Sequence, residues 1–264
     1  EKRLRENARH LRRAFSTRWP KVRHGWSYKT NYLGAICNVL HQEGSWAEVV
    51  SELEYRKARA LGVPGSRIIF NGPWKPAAAL EQAVLDGAAL HLDHLDELFA
   101  VEQIARRLGR QVPVGLRLNF DTGHTEPWSR FGFNLESGAA MDAARHIGAS
   151  QWLQLTGLHS HIGTFVLDVR AYAQQARIMA EFMETVERET GCRIEYLDIG
   201  GGFASHNALQ GLYLPPDQVV PSFEQYAEAI VAALADATRG RAALGKPLPV
   251  LVLETGRAIV DDAE

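Results

Sequence analysis

A lysine is the first residue in this sequence whose setting suggests chemistry. Lys29 closes the stretch Val22 to Lys29, rich in β-branched and aromatic residues, and an apolar run with helical spacing, Tyr32 to Gln42, follows. A lysine ending an apolar strand is expected to meet a low dielectric that lowers its pKa and frees the amine for Schiff-base chemistry. The competing expectation is a surface lysine whose stem lies on apolar neighbours while its ammonium stays in water.

Three further groups bear on the choice. Asp198-Ile199-Gly200-Gly201-Gly202-Phe203 follows a strand-like run, and its three consecutive glycines could turn backbone N–H groups toward one small anion such as a phosphate. It is not the G-x-G-x-x-G dinucleotide pattern, because the next helical pattern begins only near Ser222. In Leu158-His159-Ser160-His161-Ile162-Gly163-Thr164 two histidines at i and i+2 share one side of an extended chain. They could bind a metal, as in metal-dependent barrel hydrolases, but no later strand end supplies another histidine. His91, Asp93 and His94 would rescue that reading only by turning toward the same centre. Otherwise the pair offers a flat stacking imidazole with Thr164 as a hydroxyl donor. Glu254-Thr255-Gly256-Arg257 ends the last strand-like run with an acid and a base. It reads either as a surface ion pair or as a carboxylate that keeps a heteroaromatic ring nitrogen protonated. A Schiff-base lysine, an anion nest, a stacking imidazole and a ring-nitrogen carboxylate are together what pyridoxal phosphate asks of a protein.

The elements that must position these residues alternate regularly. Strand candidates are Val22 to Lys29, Trp46 to Val50, Arg67 to Phe70, Ala89 to Leu92, Val114 to Leu118, Leu153 to Leu158, Ile194 to Asp198 and Val250 to Leu253. Between them, helices are expected over Ser51 to Leu61 with a Ser51/Glu54 capping box, Pro76 to Asp86, Leu95 to Leu108, Glu136 to His146, Val169 to Thr190 and Ser222 to Thr238. Strict alternation with glycine stops argues for parallel βαβ units, either a doubly wound sheet or a barrel. The polar residues decide for the α/β (β/α)8 TIM barrel. Nearly every strand candidate delivers one at its C-terminal end, the face on which barrel enzymes build their sites: Lys29, Glu48, Asn71, Asp93, Arg117, His159, Asp198 and Glu254.

Composition sets the bounds. The 264 residues are 46% hydrophobic and 23% charged, and 29 Lys and Arg nearly balance 31 Asp and Glu. No overall basic field exists to draw nucleic acid or an acidic membrane, and no apolar run approaches the roughly 20 residues of a membrane span. The basic start, with Arg5, Arg9 and Arg12, is expected to be the solvated face of a helix that buries Leu4, Ala8 and Leu11. Cys37 and Cys192 lack metal or redox spacing and read as free thiols of a reducing compartment. A chain that opens on Glu1 and stops at Glu264 after a strand-like run is expected to be a barrel domain, residues 1–264, excised from a longer polypeptide.

The ordered set Tyr28-Lys29-Thr30-Asn31, Glu48-Val49-Val50-Ser51, Arg130-Phe131-Gly132, His159 to Thr164, Gly200 to Phe203 and Glu254 to Arg257 resembles the barrel domain of the fold-type III pyridoxal-phosphate decarboxylases. This is the ornithine, diaminopimelate and arginine decarboxylase family, of the alanine racemase barrel type, and the diaminopimelate branch is the nearest. The resemblance implies decarboxylation of an amino acid, diaminopimelate or a relative, through a Lys29 Schiff base and a quinonoid. It implies His161 stacked on the cofactor ring and Glu254 on the pyridine nitrogen. Gly200, Gly201 and Gly202 with Thr164, Thr255, Gly256 and Arg257 are implied around the phosphate, and Glu48 and Arg117 near the phenolic side. It further implies side-chain recognition in Ala204 to Pro221, a second, β-rich domain that this chain lacks, and a cytoplasmic homodimer. The sequence departs from the family with Thr255 for Pro, Arg130 for Lys, Glu48 for Asp and Thr164 for Ser. Two other readings stay in view: a barrel that carries the cofactor without turnover, and the metal-dependent hydrolase.

Overall fold

Eight parallel strands close on themselves in the computed structural model, which describes all residues except 207–214, 216–218, 262 and 264. In chain order the strands are β1 (Val22–Ser27), β2 (Trp46–Val49), β3 (Ile68–Phe70), β4 (Ala89–Leu92), β5 (Val112–Asn119), β6 (Phe133–Asn134), β7 (Leu153–Ser160), β8 (Tyr196–Asp198) and β9 (Val250–Leu253). β1 pairs with both β2 and β9, and β4 pairs with β5, so the ring has no open edge; β6 is a short addition beside the end of β5. All eight strand candidates therefore form the (β/α)8 barrel expected.

The described helices are α1 (Lys2–Ser16), α2 (Gly34–Gln42), α3 (Glu52–Ala60), α4 (Ala77–Asp86), α5 (Leu95–Leu108), α6 (Ala139–Ala149), α7 (Val169–Thr190), α8 (Phe223–Ala237), α9 (Arg239–Ala243) and α10 (Arg257–Val260). Their apolar stripes pack on the outside of the barrel, where one continuous core runs from Leu4 to Ile259. A second, small cluster of Ile69, Tyr196 and Val252 fills the inside, flanked by Trp46, Ala89 and Val250. None of the described helices is long and apolar enough to cross a membrane.

Three local expectations are corrected. The Ser51/Glu54 box is half formed: Ser51 accepts from the Glu54 N–H, but the Glu54 carboxylate reaches back to Val50 N–H at 2.7 Å. α6 starts at Ala139, because Glu136 is spent accepting from Asp121 N–H and from Asn134, whose own side chain accepts from Ser137 N–H. It also runs through Gly148, where an added Cβ would lie 2.7 Å from Thr190. The basic face of α1 is only partly solvated, since Arg5 and Arg9 both clamp Glu43.

Candidate active site

The C-terminal strand ends surround a cavity of about 440 Å³, within the roughly 300–1,000 Å³ usual for small-molecule sites. Of the residues expected from sequence, Lys29, His161, Thr164, Gly201, Gly202, Glu254, Gly256 and Arg257 line it, with Ser27, Thr30, Phe165, Phe203 and Val260. Glu48 lies beneath Lys29, its Oε1 3.7 Å from Nζ. Arg117 stands apart, bonding Asp93 at 3.3 Å with its guanidinium over the Phe131 ring. Gly200 and Thr255 serve the frame: the Gly200 N–H donates to Asp198 Oδ1, and the Thr255 carbonyl accepts from His24 Nε2.

Lys29 follows β1 directly and reaches into a cleft crowded by protein, yet 47% of its side chain meets solvent because the cavity is open. Burial pulls its pKa down, but the Glu48 and Glu254 carboxylates outweigh it and the net shift is upward. This reverses the lowered pKa expected from an apolar strand: β1 is apolar, but its end faces acids carried by β2 and β9. Glu48 does not gain what Lys29 gains. It is wholly buried, and burial with the nearby Glu254 charge pushes it up to about 7 against the pull of Lys29. The asymmetry follows from the half-exposed ammonium, which solvent screens, beside a carboxylate that solvent cannot reach.

Glu254 and Asp198 form a tight pair of buried acids. Burial pushes both up; His159 and Lys29 nevertheless draw Glu254 well below the usual carboxylate range, while the Glu254 charge adds to burial in raising Asp198 well above it. The firmest support for an ionised Glu254 is the Asn71 amide, whose Nδ2 donates to Oε1 at 2.6 Å. His159 Nε2 is 3.5 Å from the other oxygen, too far for a good hydrogen bond, and burial lowers its own pKa.

The histidines divide the work differently from the sequence expectation. His161 lines the cavity, meets Trp128 edge-on, and accepts a long 3.3 Å bond from Gly201 N–H, with burial lowering its pKa to about 3. His159 points into the barrel and stacks on His91, 4.8 Å between centroids and 13° between planes. His91 thus does turn toward the common centre: potential ligand atoms of His91, His159 and Glu254 lie within 4.8 Å of one another. Both His91 nitrogens, however, are engaged, by Asn71 at 2.5 Å and Tyr196 at 2.9 Å.

The glycine run also differs from a three-donor nest. Gly200 and Gly201 spend their N–H groups inside the protein, on Asp198 and His161. What the run provides is close approach: at Gly202, with φ 94°, a Cβ would sit 2.0 Å from the Gly163 carbonyl. The loop after β3 is held by Lys75, fully buried, which donates to the Gly72 and His91 carbonyls and to both Glu97 oxygens.

Sequence reasoning missed Ser27, Thr30 and Phe165 as site residues, and it placed Asn71 and Asp198 on the site face without giving either a role. The signal for Ser27 was the alternation along β1, which puts it on the interior face with Gly25; for Asn71 and Asp198 it was their place at strand ends. Phe165 carried no signal, since its left-handed φ of 60° is visible only in three dimensions.

The cavity fits a small aromatic phosphate ester. It joins an amine, an imidazole, a buried carboxylate and a basic and hydroxyl-bearing rim, and it leaves Ser27 Oγ, Glu48 Oε2 and Thr255 Oγ1 buried nearby without partners. A barrel with these groups at its C-terminal face is of the cofactor-binding class. Residues 2–261 match the family model described as "Pyridoxal-dependent decarboxylase, pyridoxal binding domain", and the chain belongs to that family, whose cofactor is pyridoxal phosphate. It is similar to diaminopimelate decarboxylase of Methanocaldococcus jannaschii, 28% identical over 247 residues covering 90% of this chain and 53% of that protein. With the Mycobacterium leprae enzyme of the same name it is 32% identical over 239 residues, covering 85% and 48%. The crystal structure of the M. jannaschii enzyme matches with a TM-score of 0.84 at 25% identity over 97% of this chain and 59% of that one, and a co-complex of that enzyme with L-lysine matches with 0.83. The chain spans about half the length of the curated relatives it matches.

Proposed function

We propose that this barrel is the cofactor-binding part of an amino-acid decarboxylase acting on diaminopimelate or a related amino acid. The observation that carries the reading is the meeting of Lys29 and an ionised, buried Glu254 across one cavity, in a chain of the pyridoxal-binding family. The named relatives are diaminopimelate decarboxylases, one of them crystallised with L-lysine, which supports a small amino acid as substrate. A homodimer and a cytoplasmic setting extend the same reading to the full-length protein.

Bound pyridoxal phosphate would supply an aldehyde for a lysine amine and an electron-accepting ring that takes up the electron pair left by departing CO2. The protein's part is to set protons and to hold the reacting groups in place. Lys29 must shed a proton before its amine reacts, and Glu48 Oε1, 3.7 Å from Nζ with a pKa near 7, is the base within reach. Glu254, ionised and fixed by Asn71, would hold a proton on a ring nitrogen and so favour electron uptake. His161, kept neutral by burial, offers a flat uncharged surface beside Lys29. Thr164, Arg257 and the Gly202 turn form the end of the cavity suited to a phosphate.

The test is pyridoxal-phosphate loading followed by borohydride reduction and peptide mapping, with CO2 release from an amino-acid panel measured on the full-length protein. Label on Lys29 and release from diaminopimelate or a relative are expected. Label elsewhere, or undiminished labelling of Lys29→Ala, would overturn the assignment; label without CO2 release would favour a cofactor carrier.

A further inference from the structure

Asn71 stands at the C-terminal end of β3, 3% exposed, with its N–H bonded to the Val49 carbonyl. Its amide nitrogen bridges two acids, donating to Glu254 Oε1 at 2.6 Å and to Glu48 Oε1 at 3.2 Å. An amide donor shared between them eases the repulsion that two neighbouring buried carboxylates exert on each other. The hydrogen positions then follow in order. The NH2 group, which alone can donate to two carboxylate oxygens, faces Glu254 and Glu48, so the Asn71 oxygen faces His91. That oxygen only accepts, so His91 carries its proton on Nδ1, 2.5 Å away. A neutral His91 leaves Nε2 bare, and the Tyr196 hydroxyl donates to it at 2.9 Å.

We propose that Asn71 is a positioning residue for the Glu48–Glu254 carboxylate pair, and that the Tyr196–His91 relay fixes the direction in which its amide faces. The relay crosses the barrel from β8 through β4 to β3, so the plug inside the barrel sets the geometry of the acids above it. The inference rests on the pyridoxal-phosphate reading only for where those acids act; the bonds themselves belong to the protein alone.

The experiment has a cofactor-free and a cofactor-loaded arm. In the unloaded protein, nitrogen-15 NMR of the histidine rings, with His91→Gln used to assign the signal, should show Nδ1 protonated and Nε2 bare; the opposite tautomer overturns the relay. In the loaded arm, Asn71→Leu should weaken pyridoxal-phosphate binding about tenfold or more, the scale of a lost hydrogen bond to a charged group. It should also shift the absorption band of the bound cofactor, which a purely structural loss would leave in place. Tyr196→Phe should weaken binding less than about threefold, and the double variant should match Asn71→Leu alone. A wild-type band in Asn71→Leu, or additive effects in the double variant, would overturn the proposal. Should Asn71→Leu fail to fold, Asn71→Ser and the NMR arm decide. Failure of the wild-type protein to bind the cofactor would instead count against the proposed function, leaving the NMR arm to judge the relay.

Discussion

Inside the barrel, Ile69, Tyr196 and Val252 pack with Trp46, Ala89 and Val250 toward the N-terminal strand ends, and Arg23 lays its guanidinium 3.7 Å from the Trp46 ring centre. One turn of the pleat higher, those strands, joined by β5 and β7, whose Gly115 and Gly157 make room for Tyr196 below, present Lys29, Glu48, Asn71, His91, Arg117, His159, Asp198 and Glu254. The strands and their backbone pairing are shared, so the difference lies wholly in the side chains. The lower half contributes to stability through burial of apolar surface. The upper half holds three buried acids close together and leaves buried polar atoms without partners, an arrangement that costs stability and is kept for chemistry. Tyr196 belongs to both, its ring in the plug and its hydroxyl on His91.

The sharpest way to test this division is Glu254→Gln. Turnover of the loaded full-length protein should fall about 10²–10³-fold, the scale of removing one electrostatic stabiliser. The unloaded protein should melt no lower than wild type, because a buried charge is removed while a carbonyl remains to accept from Asn71. A large loss of melting temperature would mean that the upper half is structural after all.

Ile69→Ala probes the other half. With Ile69 2% exposed, the cost in chemical denaturation should be about 2–5 kcal/mol, with the affinity of the folded protein for pyridoxal phosphate nearly unchanged. An equal loss of affinity would join the halves more tightly than the Tyr196 link alone.

His24, on β1 beside α1, gives the pH test. Burial lowers its pKa from 6.5 to about 4, with its ring bonded to Ser45 and the Thr255 carbonyl. The unfolded chain therefore takes up this proton first as pH falls. The His24 contribution should decline from about pH 6.5 and be complete by about pH 4, a loss of about 3 kcal/mol seen as the difference between wild type and His24→Gln, on top of what the other buried histidines add. Denaturation midpoints for both proteins across that window would show it, and parallel curves would rule it out.

The smallest effect is expected for Phe165→Gly. Relief of a left-handed φ offsets part of the lost aromatic contact, leaving stability within about 1 kcal/mol of wild type. A clear drop would show that the ring, at the edge of the cavity, packs more than it strains.

Legibility followed the range of each interaction. Eight strands, the long helix α7 and the placement of polar residues at strand ends could be read from local pattern, because alternation and glycine stops act within a few residues. β6, α9 and α10 could not: each is five residues or fewer, too short for periodicity to register. The fate of Glu136 also escaped, because its partners Asp121 and Asn134 outbid the helix start that its local sequence suggested.

The amino-acid sequence by itself determined the barrel and the family, and it pointed to Lys29, His161, the glycine run and Glu254 as candidate site residues, because ordered motifs at strand ends survive without knowledge of distances. Only the tertiary structure set the directions in which those residues' proton affinities shift. Lys29 is shifted toward the ammonium, Glu254 is drawn down and Asp198 pushed up, and His91 joins Asn71 and Tyr196 instead of standing alone. Polar groups meet across strands far apart in the chain, as Asn71 and Glu254 do at a separation of 183 residues, and closure of the ring is what brings them within reach.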